Sequence, residues 1–288
     1  MSYTLIFNFF DNTGIVILDI NCTTPTWNLL KTHSHLPKHK KTLSDMVDFA
    51  NREQQIKFLA LIREQTQIEA IIINTQFGDK IADTLREIGG GAPMLVIQGC
   101  KGKFEDFLSL IANNQTIRFL SFKNCTLNND NGIQSIAAMM RSNDHIKTLE
   151  IFNCDFRISE FQELAAALKD NHSLHELSLL PPKDMEDDTD NDILKAIAEV
   201  LQIHPCLKSL TVHRGEFSSE GMKAFATVIE ERRTLKFLFF DRCKIERDAM
   251  IFWEKIQDTI SKLAHGEIAG KPIVTESSST TAGKSCSW

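Results

Sequence analysis

A leucine that returns at nearly fixed intervals constrains this chain more than any other feature. Aligned on the motif LxxLxL, it falls at Ile71, Leu95, Leu120, Leu149, Leu177, Leu210 and Leu238, with intervals of 24, 25, 29, 28, 33 and 28 residues. A mostly aliphatic column stands three residues earlier (Ile68, Ala92, Ile117, Ile146, Leu174, Leu207, Leu235), and another two residues later (Ile73, Ile97, Phe122, Ile151, Leu179, Val212, Phe240). Period-two alternation around LxL predicts a short strand with one buried face. The second half of each unit has helical spacing instead, as in Ile133, Ile136, Ala137 and Met140, or Phe161, Leu164, Ala165 and Leu168. The unit is strand, turn, helix, and it repeats along most of the chain.

Five residues after the alignment leucine come Gln76, Cys100, Cys125, Cys154, Pro182, Gly215 and Cys243, so four of the seven cysteines share one column. The segments IRFLSFKNCTL at 117–127, LEIFNC at 149–154 and FLFFDRC at 237–243 are copies of one another. Where the strand turns toward the helix, a small side chain must fit the interior and offer at most a weak hydrogen bond to the turn backbone. A redox or nucleophilic thiol would need exposure and a neighbouring base or cation. Cys100, Cys125, Cys154 and Cys243 are therefore read as structural.

These units resemble leucine-rich repeats of the ribonuclease-inhibitor subfamily, in which LxxLxLxxCxL is followed by a helix, with a period of about 28 to 29 residues. The resemblance runs from about Ile68 to Phe252. It is densest from Leu120 to Leu179, where LSFKNCTL, SIAAMM, LEIFNCDF, ELAAALKDN and LHELSL follow in the family's order. It implies an α/β leucine-rich-repeat solenoid, a horseshoe of about seven repeats with parallel strands on the concave face and helices on the convex face. It also implies that the cysteine column is the family's turn ladder.

A repeat array must cover its ends, because a bare edge strand and an open core invite aggregation. Residues 1–66 are expected to form an N-terminal cap, with a β-hairpin around Asp11-Asn12-Thr13-Gly14 and a helix from about Ser44 to Gln65. The repeats then occupy 67–246. Residues 247–264 make a C-terminal capping helix with an apolar stripe of Ala249, Phe252, Trp253, Ile256, Ile260 and Leu263, and 265–288 read as a disordered tail rich in Gly, Ser and Thr.

Composition narrows the partners. A net charge of −6 and a pI near 5.9 provide no overall positive field for nucleic acid or an anionic membrane. An odd cysteine count without CxxC spacing points to reduced thiols in a cytosol. The N-terminus lacks a basic lead, and no apolar run reaches the roughly 20 residues of a membrane helix.

No motif assembles catalytic groups: GxSxG, the Rossmann glycines and the kinase signature set are missing from the sequence. Ala282-Gly283-Lys284-Ser285 lacks the strand, first glycine and following helix of a phosphate loop. Asp188, Asp190, Asp192 and Glu199 match calcium-loop positions, but Ile193 replaces the turn glycine and a helix from Leu194 to Leu201 carries Glu199 away. The segment 184–192 reads as an acidic rim loop in which Asp190 or Asp192 caps the next helix, with cation binding left open. His33, His35 and His39 with Cys22 lack zinc-site spacing and sit among Lys38, Lys40 and Lys41, as a solvated basic loop would. No enzyme, cofactor, metal or small-molecule substrate is expected.

Function should then lie in the residues that alternate with the buried leucines. Those singled out for partner binding are Phe119, Ser121, Lys123, Glu150, Phe152, Glu176, His213, Phe237, Phe239 and Asp241. Aromatic anchors ringed by polar groups are what protein interfaces use. Six strand spacings of about 4.8 Å make a face roughly 29 Å wide, enough for about 800 Å² per partner. Glu150, Glu176 and Asp241 are mixed with Arg118, Lys123, Lys147, His213, Arg214 and Arg242, a mixture that does not suit a strongly basic ribonuclease target. The resemblance implies a binding protein that covers the active site of a partner enzyme. A second resemblance, of composition and of the Ser/Thr-rich C-terminus, is to leucine-rich-repeat effectors that intracellular bacteria export through a type IV (Dot/Icm-like) system into the host cytosol. It implies an adaptor that recruits host proteins.

Overall fold

Each copy of the leucine motif from Ile71 onward folds as a strand. The computed structural model describes residues 2–9, 16–20, 67–74, 92–101, 104–128, 131–180 and 189–265, the first three ranges and residue 189 by backbone alone. In chain order the elements are β1 (Ser2–Phe9), β2 (Val16–Ile20), β3 (Gln67–Asn74), β4 (Met94–Gln98), α1 (Glu105–Ala112), β5 (Phe119–Lys123), α2 (Gly132–Ser142), β6 (Thr148–Phe152) and α3 (Ile158–Asp170). They continue with β7 (Glu176–Leu180), α4 (Thr189–Ile203), β8 (Ser209–His213), β9 (Glu216–Phe217), α5 (Ser219–Arg232), β10 (Phe237–Asp241), β11 (Lys244–Ile245), a 3₁₀ turn (Arg247–Ala249) and α6 (Met250–Ala264).

One nine-stranded sheet has the order β10-β8-β7-β6-β5-β4-β3-β1-β2, while β9 and β11 pair separately. From β3 to β10 every pairing in it is parallel, and the alignment leucines face one another across each: Ile71 to Leu95, Leu95 to Leu120, Leu120 to Leu149, Leu149 to Leu177, Leu177 to Leu210, and Leu210 to Leu238. The sequence period is thus the register of the sheet, including the 33-residue interval. A slip of one residue would turn every leucine out to solvent, which is why the pattern fixes the pairing.

Leu95, Leu120, Leu149, Leu177 and Leu210, with Ile97, Phe122, Ile151, Leu179 and Val212, are buried in one continuous core with the apolar faces of α1 to α5. Burying a leucine side chain fully is worth about 1.5–3 kcal/mol, so this stack is the main apolar stabilisation. The chain is an α/β fold of strands alternating with helices. Among the described residues no helix is long and apolar enough to cross a membrane.

Strands β1 and β2 pair antiparallel, and β1 continues the sheet parallel to β3. The helix expected over Ser44–Gln65, the turn at Asp11–Gly14, and the segments 181–188 and 266–288 lie outside the described residues, as do His33, His35 and His39. At the other end α6 buries Ile256, Thr259 and Leu263. Trp253 stacks on Phe240 with ring centroids 5.0 Å apart and planes 12° apart.

The cysteines sit where the strands turn. The Cys125 thiol donates to Ile97 O at 3.6 Å and Lys123 O at 3.4 Å, that of Cys154 to Phe122 O and Phe152 O at 3.5 Å, and that of Cys243 to Val212 O at 3.3 Å. Burial raises the Cys154 thiol far above its ordinary range and lifts Cys243 to about 11, so neither offers a thiolate near neutrality. Cys206, fully buried, is disulfide-bonded, so the expectation of uniformly reduced thiols does not extend to it.

One residue ahead of the cysteine column the backbone is left-handed, at Gly99 (φ 73°), Asn124 (52°), Asn153 (53°), Arg214 (59°) and Arg242 (56°). Glycine and asparagine adopt this region readily. The two arginines do so at a cost of roughly 1–2 kcal/mol each.

Candidate functional site

The helices cover one face of the sheet, and the alternate residues of each strand form the other. On that open face the structure links six of the ten residues singled out for partner binding. The buried Ser121 hydroxyl donates to Glu150 Oε2 at 2.9 Å, and Lys123 Nζ lies 3.9 Å from the same oxygen. Lys123 Nζ also stands 6.0 Å from the Phe152 ring centre, at the outer limit for a cation over an aromatic face. Phe152 meets the His213 ring edge-on at 5.2 Å. His213 Nδ1 donates to Asp241 Oδ2 at 2.9 Å, closing the chain on β10.

Each link has a local cause. Ser121, Glu150 and Thr211 stand one residue after the alignment leucine, and Lys123, Phe152, Leu180, His213 and Asp241 three after it. Phe152 on β6 and His213 on β8 touch across β7, and Leu180 of β7, in the same column, is buried. The hydrogen bond from His213, with Arg242 adding, holds the Asp241 carboxyl below the usual carboxylate range. The partner of His213 is thus a carboxylate at neutral pH, and Nδ1 carries the proton.

Four residues of the set stand apart from that chain. Glu176 accepts from the Thr148 hydroxyl at 3.4 Å. Phe119 is half-buried. Phe237 and Phe239, on the terminal strand, keep 53% and 58% of their surface exposed. Beside them a cleft of about 580 Å³ opens between β10 and α6, lined by Leu238, Phe239, Phe240, Trp253, Ile256 and Ile260. The anchors are therefore not distributed evenly: Ser121 is buried and positions Glu150, Phe152 is half-enclosed, and the accessible aromatics concentrate at the β10 end.

Among the described residues no cluster of His, Cys, Asp and Glu is arranged to hold a metal ion. Asp190 accepts the Glu216 backbone N–H at 2.8 Å instead of capping α4, and Glu199 pairs with Lys169 at 2.8 Å. Asp188 lies outside the described residues.

A second polar column went unnoticed in the sequence: Asn114, Asn143, Asn171 and His204, each six residues before the alignment leucine. Asn143 Oδ1 accepts the N–H groups of His145 and Ile146, while its amide donates to Ile111 O and Asn114 O of the preceding unit. Asn171 does the same with Ser173 and Leu174, and with Met140 O and Asn143 O. The signal was present as a recurring Asn just after α1, α2 and α3, in the place where a residue ties one unit to the next.

His204 performs only half of this role. Its Nδ1 accepts from the Cys206 and Leu207 N–H groups at 3.1 Å, so its proton sits on Nε2, which is buried without a hydrogen-bond partner among the described residues. Burial, with His172 and His175 adding, lowers its pKa from 6.5 to about 3. Because the folded value lies below the unfolded one, its neutral form contributes stability above pH 6.5 that is lost as pH falls toward 3. His204→Asn is expected to raise unfolding free energy at neutral pH by ~1–2 kcal/mol, by satisfying the amide donor. It should also flatten the acid limb of a stability curve measured by urea unfolding; an unchanged acid limb would show that His204 is not its source.

No protein-family model matches the chain, and no curated protein matches it. Among solved structures, one described as Leiomodin-1 Actin-Binding Site 2 (ABS2) is similar over 57% of this chain and 92% of its own length, at 15% identity and a TM-score of 0.42. At that score the likeness carries no argument about this chain.

Proposed function

We propose that the chain is a leucine-rich-repeat solenoid of the ribonuclease-inhibitor type that binds a partner protein through the open, concave face of its sheet. The partner is an enzyme whose active site this face covers. Supporting the repeat reading are the in-register leucine column, the thiols that bond the turn carbonyls, and the asparagines that tie consecutive units together. The observation that carries the functional reading is the pair Phe237 and Phe239, more than half exposed at one end of an ordered polar chain on the same face. Exposed aromatics cost solvation in a free protein, whereas in a complex they supply large contact area at low entropic cost.

The arrangement resembles an interface more than a reaction centre. Its polar groups are spent on one another in a line from Ser121 to Asp241. Affinity capture with the parent chain and with Phe239→Asp in parallel tests the reading. A partner retained by the parent and released by the variant is the expected result, and equal retention by both would contradict it.

A further inference from the structure

The last strand of the array is built differently from those before it. The inward residues of β4 to β8, from Leu95 to Val212, are at most 1% exposed, whereas Leu238 and Phe240 of β10 are half-buried and border the cleft beside α6. β10 is also the edge of the sheet, paired with β8 alone among the described residues. In a parallel ladder a residue's N–H and C=O point to the same neighbouring strand, and successive residues alternate between neighbours. Phe237 N–H donates to Lys208 O at 3.0 Å and Asp241 O accepts from Arg214 N–H at 2.9 Å, so Phe237, Phe239 and Asp241 direct their amides to β8. The N–H and C=O of Leu238 and Phe240 therefore point along the free edge, where no described strand meets them.

Such an edge is a template for another strand unless a proline, a bulge or an inward-pointing charge blunts it. The segment Phe237–Asp241 has no proline, its register with β8 is unbroken, and its inward residues are leucine and phenylalanine. We propose that the strand completing this edge belongs to a second copy of the chain, β10 pairing antiparallel with β10 about a two-fold axis at Phe239. In that register Leu238 stands opposite Phe240 of the second copy, and a directly opposed pair of this kind exchanges both N–H···O bonds. The two such pairs satisfy every edge-facing N–H and C=O of Leu238 and Phe240 on both copies.

Between those pairs Phe239, whose amide is spent on β8, meets Phe239 of the second copy in a pair without hydrogen bonds, with Cα atoms about 4.5 Å apart. Leucine thus meets phenylalanine on the inner face and phenylalanine meets itself on the outer, both favourable cross-strand pairs. The edge is its own complement, and a two-fold contact closes after two copies instead of propagating. Because the axis is perpendicular to the sheet, both helix layers lie on one side of it, and the two clefts merge with Trp253 and Ile260 of each copy at the seam. An end face about 22 Å long, the length of α6, and about 20 Å deep, one helix over one sheet, measures roughly 440 Å² in projection. That is small beside the ~800 Å² per partner of a standard interface, and at each end Lys236 comes opposite Arg242 of the second copy, a like-charged pair. The dimer is accordingly weak, dissociating in the micromolar range. It does not rest on the open-face reading, and its test needs no partner protein.

Sedimentation velocity of the full chain from about 1 to about 100 µM is expected to show a reversible monomer–dimer equilibrium. Deuterium exchange over residues 237–243 should slow across the same range while β4 to β8 stay unchanged. Ile260→Arg, in the cleft wall, and Phe239→Asp, which sets two carboxylates face to face at the axis, should each weaken dimerisation at least ~10-fold with far-UV circular dichroism and melting preserved. Under a mild oxidant Phe239→Cys should yield a covalent dimer that neither the parent nor Glu163→Cys, at an exposed position on α3, yields. Only the antiparallel register brings residue 239 of one copy within disulfide reach of itself in the other. A monomer at ~100 µM, a dimer indifferent to both charged variants, or no crosslink at position 239 would each overturn the proposal. Exchange at 237–243 that is already slow in the monomer would overturn it too, by giving the edge to another segment of the same chain.

Discussion

Replacing Asn171 by alanine is expected to lower the free energy of unfolding by ~3–5 kcal/mol, the largest loss from any single polar substitution proposed for this chain. The side chain is buried and makes bonds in two directions. Its Oδ1 accepts the N–H groups of Ser173 and Leu174, and its Nδ2 donates to Met140 O at 2.7 Å and Asn143 O at 3.0 Å. Alanine leaves two donors and two carbonyls without it, in a place where water cannot easily replace the amide, and each orphaned buried group costs about 1–3 kcal/mol. Part of that cost relaxes away by small shifts, so the sum is bounded below the arithmetic total. Denaturant unfolding of Asn171→Ala beside Gln162→Ala, an exposed position on α3, measures it, the control being expected within about 0.5 kcal/mol of the parent. A loss at Asn171 below ~1 kcal/mol would mean the asparagine column does not hold the units together.

Phe239→Asp is expected to leave folding intact and to weaken partner binding by at least ~30-fold, the effect of losing an interface anchor worth about 2 kcal/mol or more. The side chain is 58% exposed and on the terminal strand, so its removal opens no cavity in the core. The new carboxylate would have to lose its water at the centre of an apolar contact, which adds to the lost aromatic area. Phe237→Asp should act in the same direction. Phe152→Asp is a poorer probe, because its ring meets His213 and adjoins Lys123, so that variant would disturb the face itself as well as any contact on it. Isothermal titration with the captured partner gives the ratio, and thermal melting of the free variant gives the control.

The leucine column was legible because burial leaves a period in the sequence, and that period became the register of β3 to β10 residue for residue. The cysteine column was legible for the same reason, since a turn interior accepts few side chains. Which polar residues touch was not. The contact between Phe152 and His213 spans an intervening strand, a relation that no pairwise spacing encodes. Parity alone places Ser121 among the contact residues, yet the reach of Glu150 from β6 encloses its hydroxyl. The column of Asn143 and Asn171 stands outside the LxxLxL window, and its meaning lies in side-chain bonds to carbonyls of the preceding unit, which the letters alone do not encode. Arg214 and Arg242 show the converse: a left-handed turn favours Gly or Asn, and nothing in an arginine codon announces that the chain will hold it there.

The most direct test of partner binding through the open face is site-specific photo-crosslinking in the native cell. A photoreactive amino acid replaces Phe239 on β10 in one chain and Glu163, exposed on α3, in another. A discrete crosslinked product of defined mass from position 239, with none from position 163, is the predicted result. Products from position 163 alone, or the same products from both, would contradict recognition through the sheet and move the binding surface to the helices.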